Sequence, residues 1–225
     1  MSRWSRVIII FVSAVFSFYL MLSFDTALLR WRYHLIGSTP QGYVQQILGS
    51  FREFGQAMVV IVTIVIVATF DRRRTTIISC LLVAELFAAL GYDPGKWLIG
   101  RYRPYAAIDI FAAEQQDPLK TLNTFSYRDT WIGWKPGNWD LDTQSFPSGH
   151  SAAAFTLATI LAAFYPRLGW FWYTLATGCA CSRYLDTVHW PSDCWAGTIL
   201  GYLSARLALA IMGSKAGPRR QETTP

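Results

Sequence analysis

The fold class is decided by a stretch that reads FGQAMVVIVTIVIVATF from Phe54 to Phe70. The stretch carries no charge, and its β-branched centre would suit a buried strand of a soluble protein as well as a helix. A membrane-spanning helix needs about 20 apolar residues, with a range of roughly 17 to 25, whereas strands usually end at about 10 residues. The length of this run therefore favours a helix that faces lipid.

Five further apolar runs have similar lengths and predict further membrane spans. The first of them follows two arginines near the start of the chain, and the second holds a single charge, Glu85. No internal repeat relates the runs. We therefore expect an all-α polytopic membrane protein, a six-helix transmembrane bundle that forms one domain over residues 1–225. The five runs are Val7–Phe24, Thr75–Tyr92, Ser148–Tyr165, Leu168–Ser182 and Trp190–Met212.

The composition supports this class of protein and excludes others. Of the 225 residues, 52% are hydrophobic and 15% are charged, whereas an ordinary soluble domain has roughly 25% charged residues. Disordered chains are excluded because they are poor in apolar residues and rich in charge. The net charge of +6 does not indicate nucleic-acid binding, since the basic residues lie at the ends of apolar runs, where they anchor membrane helices. The four cysteines contain no CxxC pair, which excludes a zinc ribbon.

The basic residues also predict an orientation, because cytoplasmic loops of membrane proteins are enriched in Lys and Arg. With six spans, the basic residues that flank them fall on one side, and we expect that side and both termini to be cytoplasmic. The opposite side receives Asp25–Glu53, Arg183–His189 and the long segment Asp93–Phe146, whose three tryptophans suit a membrane interface. The flanking residues are Arg3, Arg6, Arg72, Arg73, Arg74, Arg167, Lys215, Arg219 and Arg220, and the tryptophans are Trp131, Trp134 and Trp139.

Three polar motifs lie at span ends on the expected outer side. They read KWLIGRYRP over residues 96–104, PSGH over residues 147–150 and SRYLDTVHWPSD over residues 182–193. Together they bring three cations, two histidines and a carboxylate to one face of the membrane. Cations beside hydrocarbon are costly unless an anion compensates them, so the grouping indicates an anionic ligand. The six residues are Lys96, Arg103, Arg183, His150, His189 and Asp193.

Each motif taken alone also has a structural interpretation. Lys96 could be a snorkelling membrane anchor. Ser148 could cap the helix that follows, although Gly149 and the free N–H groups of a helix start also suit an anion. Asp193 could hold one imidazole nitrogen of His189 and leave the other free to attack, or the two could form a structural pair. The conjunction of the three motifs is more specific than any one of them.

The three motifs resemble those of the type 2 phosphatidic acid phosphatase (PAP2) superfamily. The family pattern is Lys-x6-Arg-Pro, then Pro-Ser-Gly-His, then Ser-Arg-x5-His-x3-Asp, and this sequence matches every fixed position in the same order. The motif core covers residues 96–193. The apolar runs resemble the integral-membrane lipid phosphatase branch, not the soluble haloperoxidases and acid phosphatases of the family.

The resemblance implies a role for each motif residue. His189 would be the nucleophile that forms a phosphohistidine, Asp193 would orient it, and His150 would be the general acid. Positioned cations and N–H donors stabilise a phosphoryl group during transfer. The family uses no metal or other cofactor, and none is expected here. The residues implied to hold the phosphate are Lys96, Arg103, Ser148, Gly149 and Arg183.

These observations predict a metal-independent phosphatase that hydrolyses a lipid phosphomonoester or diphosphate. The alternative is a lipid phosphotransferase that passes the group to an alcohol, and a non-catalytic transporter on the same fold is a third possibility. The expected partner is a lipid phosphate in the bilayer, and the expected location is a bacterial inner membrane with the site on the extracytoplasmic face. Candidate lipids are phosphatidic acid, phosphatidylglycerol phosphate, undecaprenyl diphosphate and a lipid A phosphate. The sequence leaves open the oligomeric state and whether Glu85 shapes a headgroup cavity or pairs with a cation such as Arg206.

Overall fold

The computed structural model describes residues 3–37, 40–111, 118–122, 126–134 and 140–213. Over these ranges the regular structure is helical and no strand is formed, which confirms the all-α prediction. Single-turn 3₁₀ helices lie at Tyr127–Thr130, Leu141–Thr143 and Pro166–Leu168. The α-helices are α1 (Arg3–Ile36), α2 (Gly42–Glu53), α3 (Ala57–Phe70), α4 (Arg74–Ile99), α5 (Pro104–Phe111), α6 (Pro118–Thr121), α7 (Gly149–Phe164), α8 (Gly169–Leu185) and α9 (Pro191–Gly213).

Each of the six predicted runs lies largely within a helix, but not all of these helices are long and apolar enough to cross a bilayer on their own. By length and composition, the stretches Val12–Ile36, Arg74–Ile99 and Pro191–Met212 are long and apolar enough to do so. Helices α2 and α3 pass the same test as a pair that is bent by 55° at a short break, so four spans result if the pair is one broken span. The count of six transmembrane helices therefore stays a prediction.

The end of the first helix differs from the sequence prediction. The sequence predicts that the first apolar run ends at Phe24, before Asp25, whereas α1 continues to Ile36. Asp25 is fully buried because its carboxylate pairs with Arg101 at 2.7 Å. An intramembrane acid with an internal cation does not need to leave the helix for water.

The core of the bundle forms around α7, which packs against α4, α8 and α9. Ala152, Ala154 and Ala158 of α7 are buried, and α9 meets α7 through glycines. A Cβ atom added at Gly201 would lie 2.1 Å from the carbonyl oxygen of Ala152, so only glycine permits this approach. Small residues at a crossing point let membrane helices pack backbone to backbone.

Large apolar side chains face outward on the helices around this core. Phe16 on α1, Phe70 on α3 and Leu90 on α4 are each more than half exposed. Exposed apolar surface of this extent is typical of contact with lipid. Together with the spanning stretches of α1, α4 and α9, it identifies an integral membrane protein.

The described residues of the segment between α4 and α7 join the motifs through backbone contacts. Single backbone bridges link Arg101 to Trp131 and to Gln144. The indole nitrogen of Trp190, just before α9, donates to the carbonyl oxygen of Tyr102 at 2.8 Å. The ends of α4 and α8 and the starts of α7 and α9 thus meet beneath this segment.

Candidate active site

His189 lies in the connection between α8 and α9, and its imidazole is held in one orientation. Its backbone N–H donates to the carbonyl oxygen of Arg183 at 3.2 Å, which ties it to the last turn of α8. The ring Nδ1 lies 2.7 Å from the carbonyl oxygen of Ser145. Because a carbonyl only accepts hydrogen bonds, this contact assigns the proton to Nδ1. The lone pair of the neutral ring is therefore on Nε2.

The surroundings of His189 keep the imidazole neutral. Burial lowers the pKa of His189 well below its ordinary value, and the positive charges of Arg103 and Arg183 lower it further. A neutral imidazole with an unprotonated Nε2 is the form that can attack an electrophile.

Asp193 is placed differently from the expectation that it holds His189 directly. Its Oδ2 lies 3.9 Å from Nδ1 of His189, which is too far for a hydrogen bond. The carboxylate accepts from the Ser145 hydroxyl at 2.5 Å and from the Trp190 backbone N–H at 3.0 Å. The Ser145 carbonyl already occupies Nδ1, so Asp193 reaches His189 through Ser145.

Arg101 is a third partner of the Asp193 carboxylate, and its buried position excludes a direct role in holding phosphate. The fully buried guanidinium bridges Asp193 at 2.5 Å and Asp25 at 2.7 Å. It lies over the rings of Trp131 and Trp190, with its central carbon 4.3 and 5.0 Å from the two centroids. Arg101 therefore joins α1, the connecting segment and α9 behind the site.

The Pro-Ser-Gly-His motif forms the start of α7. The Ser148 hydroxyl accepts from the Ser151 backbone N–H at 3.4 Å and from the Ser151 hydroxyl at 3.0 Å, so it caps the helix. The Ser148 backbone N–H donates to the carbonyl oxygen of Asp193 at 3.1 Å, which links the starts of α7 and α9. His150 follows in the first turn and is half-buried. The capping interpretation of Ser148 is thus the one that the contacts show.

Gly149, at the start of α7, and Lys96, near the end of α4, line the same cavity and lie close together. A Cβ atom at Gly149 would lie 3.3 Å from the ring of Tyr92 and 3.6 Å from Nζ of Lys96, so a side chain there would crowd both. Lys96 Nζ lies 3.8 Å from a carboxylate oxygen of Asp93 and 5.1 Å from the centroid of the Tyr92 ring. The α7 start and the α4 end therefore offer an ammonium group beside helix N–H groups.

The two motif arginines approach from other elements. Arg103 donates through Nε to the carbonyl oxygen of Leu141 at 2.8 Å, which fixes the plane of its guanidinium. Arg183, in the last turn of α8, is buried, and its Nη1 lies 3.7 Å from a carboxylate oxygen of Asp186. Its Nε is buried and has no hydrogen-bond partner within the described ranges. A buried donor without a partner is costly, and a bound anion would satisfy it.

Four positive charges act on the imidazole of His150, and one of them was not anticipated from the sequence. They belong to Arg183, Arg52, Lys96 and Arg103. Arg52 lies at the end of α2, where its Nη2 contacts Glu53 at 3.0 Å. Its only signal in the sequence is a basic residue just before an apolar run, which membrane anchors share. Ser145 was also missed, since a serine two residues before Pro147 carries no chemical pattern of its own.

A cavity of about 730 Å³ leads away from this cluster between α3 and α4. At one end it is lined by Lys96, Gly149 and His150, and along its length by apolar residues of α3 and α4. Ile61 and Leu86 line it and also belong to the exposed apolar surface, so the cavity opens sideways toward the expected lipid. Lys96, Gly149 and His150 thus line this cavity, and the positive charges of Arg103 and Arg183 act on the imidazoles of both His150 and His189.

The part of the chain that holds the three motifs is similar to known sequences. The family model described as "PAP2 superfamily" matches residues 75–216. The bacitracin transport permease protein BcrC of Bacillus licheniformis is 41% identical over 61 residues, which are 27% of this chain and 30% of that protein. A lipid A 1-phosphatase of Porphyromonas gingivalis is 39% identical over 71 residues, which are 30% of this chain and 16% of that protein. The alignments therefore span less than a third of either relative.

Two solved structures share the fold over most of their length. The crystal structure of Aquifex aeolicus LpxE aligns with a TM-score of 0.59 and 20% identity, covering 83% of this chain and 94% of that one. The transmembrane PAP2-type phosphatidylglycerolphosphate phosphatase of Bacillus subtilis aligns with a TM-score of 0.58 and 18% identity, covering 93% and 98%. Both support the same arrangement of helices.

Proposed function

Because the chain belongs to the PAP2 superfamily, we propose that it is a membrane enzyme that hydrolyses the phosphate ester or diphosphate of a lipid. The observation that carries this proposal is the tautomer of His189. The hydrogen bond from Nδ1 to the carbonyl oxygen of Ser145 leaves Nε2 as a nucleophile, within a cluster of cations that suits a phosphoryl group.

The first step transfers the phosphoryl group to the protein. Nε2 of His189 attacks phosphorus, an N–P bond forms, and the bond from phosphorus to the lipid oxygen breaks. His150, which is protonated when the negative charge of the bound phosphate offsets the surrounding positive charges, gives its proton to that oxygen, so the lipid leaves as an alcohol, or as a lipid monophosphate when the substrate is a diphosphate. General acid catalysis of this kind contributes roughly 10²–10⁴-fold.

The second step releases phosphate. Water attacks the phosphorus of the phosphohistidine, His150 takes a proton from the water, and the N–P bond breaks. Inorganic phosphate leaves, and His189 is again neutral. Asp193 and Ser145 keep the ring in place through both steps, because each turn of the cycle requires Nε2 to face the phosphorus.

The phosphate oxygens are held by Lys96, Arg103 and Arg183, together with the N–H groups at the start of α7. During transfer, negative charge is spread over the equatorial oxygens of the phosphoryl group, and the three cations and the N–H groups stabilise that charge. The buried Nε of Arg183, without a partner among the described residues, supports an anion at this position. Ser148 contributes as the cap that orients the N–H groups of α7. No metal or cofactor takes part in these steps.

The proposed setting is a bilayer in which the lipid reaches the site sideways through the cavity between α3 and α4. We propose six transmembrane helices in one domain, with the site on the extracytoplasmic face of a bacterial inner membrane. The similarity to a lipid A 1-phosphatase and to a phosphatidylglycerolphosphate phosphatase supports a lipid substrate with its phosphate at the interface. The complete set of polar motif residues disfavours a non-catalytic transporter.

The test is phosphate release from the four candidate lipid phosphates by purified protein in a chelator, without an added alcohol acceptor. We expect release from at least one lipid and its loss in His189→Ala. His34→Ala is the matched control, because His34 is an exposed histidine at the end of α1. Turnover that requires an alcohol acceptor would indicate a phosphotransferase, and turnover restored only by a divalent metal would contradict the mechanism.

A further inference from the structure

Glu85 is an acidic residue in the otherwise apolar part of the cavity. It lies on the face of α4 that lines the cavity, eleven residues before Lys96, which is about 16 Å along the helix axis at about 1.5 Å per residue. Its neighbours on the cavity wall are Leu82 and Leu86 of α4 and Ile64 of α3.

One carboxyl oxygen of Glu85 lacks a partner among the residues that the structure describes. Its Oε1 is buried and accepts no hydrogen bond from any residue that the structure describes. The sequence left open an ion pair with Arg206, but that residue is exposed on α9, and no ion pair joins the two. Buried polar atoms are nearly always hydrogen-bonded, so an unpaired oxygen in a cavity points to a ligand.

We propose that Glu85 determines specificity by accepting a hydrogen bond from a hydroxyl or amide N–H on the lipid part of the substrate. This inference rests on the proposed function, since it requires the phosphate to lie among Lys96, His150 and His189. The substrate class is then a lipid phosphate with a hydrogen-bond donor within its apolar part, at the depth that Glu85 has below Lys96.

The course of the cavity indicates that the partner of Glu85 belongs to the same lipid as the phosphate. Lys96, His150 and Glu85 line one continuous space, and that space opens between α3 and α4 toward the exposed apolar surface. A lipid whose phosphate reaches His150 from that side passes Glu85.

The chemistry of a carboxyl group indicates that the partner is a hydrogen-bond donor. Both of its protonation states keep an accepting oxygen, and rotation about the last torsion of a glutamate is broad, so either oxygen can turn toward the cavity. A chain of hydrocarbon alone would cover the carboxyl group without pairing it, which is costly. The residue therefore disfavours lipids that have no donor.

The test compares the binding of two lipid phosphonates, which carry a P–C bond that the enzyme cannot cleave. They differ only in one substituent of the acyl chain, at the depth that Glu85 has below Lys96, which is a hydroxyl group in one lipid and a hydrogen atom in the other. We expect wild-type protein to bind the hydroxylated lipid about tenfold more tightly, the usual effect of one hydrogen bond to a charged or strongly polar group. Glu85→Leu should bring the ratio close to one, whereas Glu85→Gln keeps an accepting oxygen and should keep most of the preference.

Leu82→Ala is the matched control, because it alters the same wall of the cavity without removing an acceptor, and it should leave the ratio unchanged. Equal affinities of wild-type protein for the two lipids would overturn the proposal whatever the folding of the variants. The same holds if Glu85→Leu keeps the wild-type ratio. Failure of the proposed function would show separately, as absence of phosphate release from the corresponding cleavable phosphates.

Discussion

At the scale of single residues, the two histidines have different tasks that one substrate pair can separate. His150→Ala removes the proton donor, which matters most for a lipid alkoxide and least for a nitrophenolate, since nitrophenolate leaves readily without a proton. We expect the first-turnover burst to fall by roughly 10²–10⁴-fold on the lipid and far less on nitrophenyl phosphate.

His189→Ala is the comparison for this experiment, and it should abolish the burst on both substrates because no nucleophile remains. Rapid-quench measurement of the burst avoids masking by slow hydrolysis of the intermediate. An equal loss on both substrates in His150→Ala, together with aryl-ester activity in His189→Ala, would mean that the roles are exchanged.

The protonation of His189 gives a second prediction at this scale. Because burial and the charges of Arg103 and Arg183 lower its pKa, the ring stays neutral as the pH falls through the ordinary value of 6.5. Nitrogen NMR of labelled histidine in the free protein should show a neutral ring at pH 6.5 with the proton on Nδ1. A protonated ring at that pH, or a proton on Nε2, would contradict the assigned tautomer.

At the scale of helices, Arg101 connects α1 to α9 and supports the site from behind. Arg101→Met would leave the carboxylates of Asp25 and Asp193 buried without their cation, and breaking a buried ion pair in this way costs about 3–5 kcal/mol. We expect a large loss of thermal stability in detergent and, with it, loss of turnover.

Arg101→Lys serves as the graded comparison. It keeps the charge but not the planar fork that reaches both carboxylates, so its stability should lie between that of wild type and that of Arg101→Met. The control is Arg128→Met, because Arg128 is an exposed arginine of the same connecting segment. If Arg101→Met has the same melting temperature as the wild-type protein, the ion pairs of Arg101 contribute nothing to the packing of these helices.

The helices show which features the sequence could predict. The long apolar runs predicted α3, α4 and α9 correctly, because a backbone surrounded by lipid has to pair its N–H and C=O groups within a helix. The end of α1 was misjudged because Asp25 resembled a residue at the membrane surface, and its partner lies 76 residues away in the chain. Ser145 and Arg101 were missed as supports of His189 for the same reason, since their roles depend on contacts that local sequence does not encode.

At the scale of the whole molecule, orientation is the main open prediction. A cysteine at exposed Arg128 should react with an impermeant thiol reagent in intact cells, and a cysteine at exposed Arg73, between α3 and α4, should not. Both variants are made with Cys181→Ser, because Cys181 is an exposed native thiol, whereas Cys80, Cys179 and Cys194 are buried. Lysed cells, in which both sites react, are the control, and labelling of Arg73→Cys alone in intact cells would reverse the orientation.

The phosphohistidine mechanism is tested by locating the phosphoryl group during turnover. The protein is mixed with a cleavable lipid phosphate that carries a labelled phosphorus, quenched in alkali within the first turnover, digested and analysed by mass spectrometry. We predict a phosphoryl group on Nε2 of His189 that disappears as inorganic phosphate forms. A phosphoryl group on His150, or phosphate release without any labelled histidine at the earliest times, would contradict the mechanism.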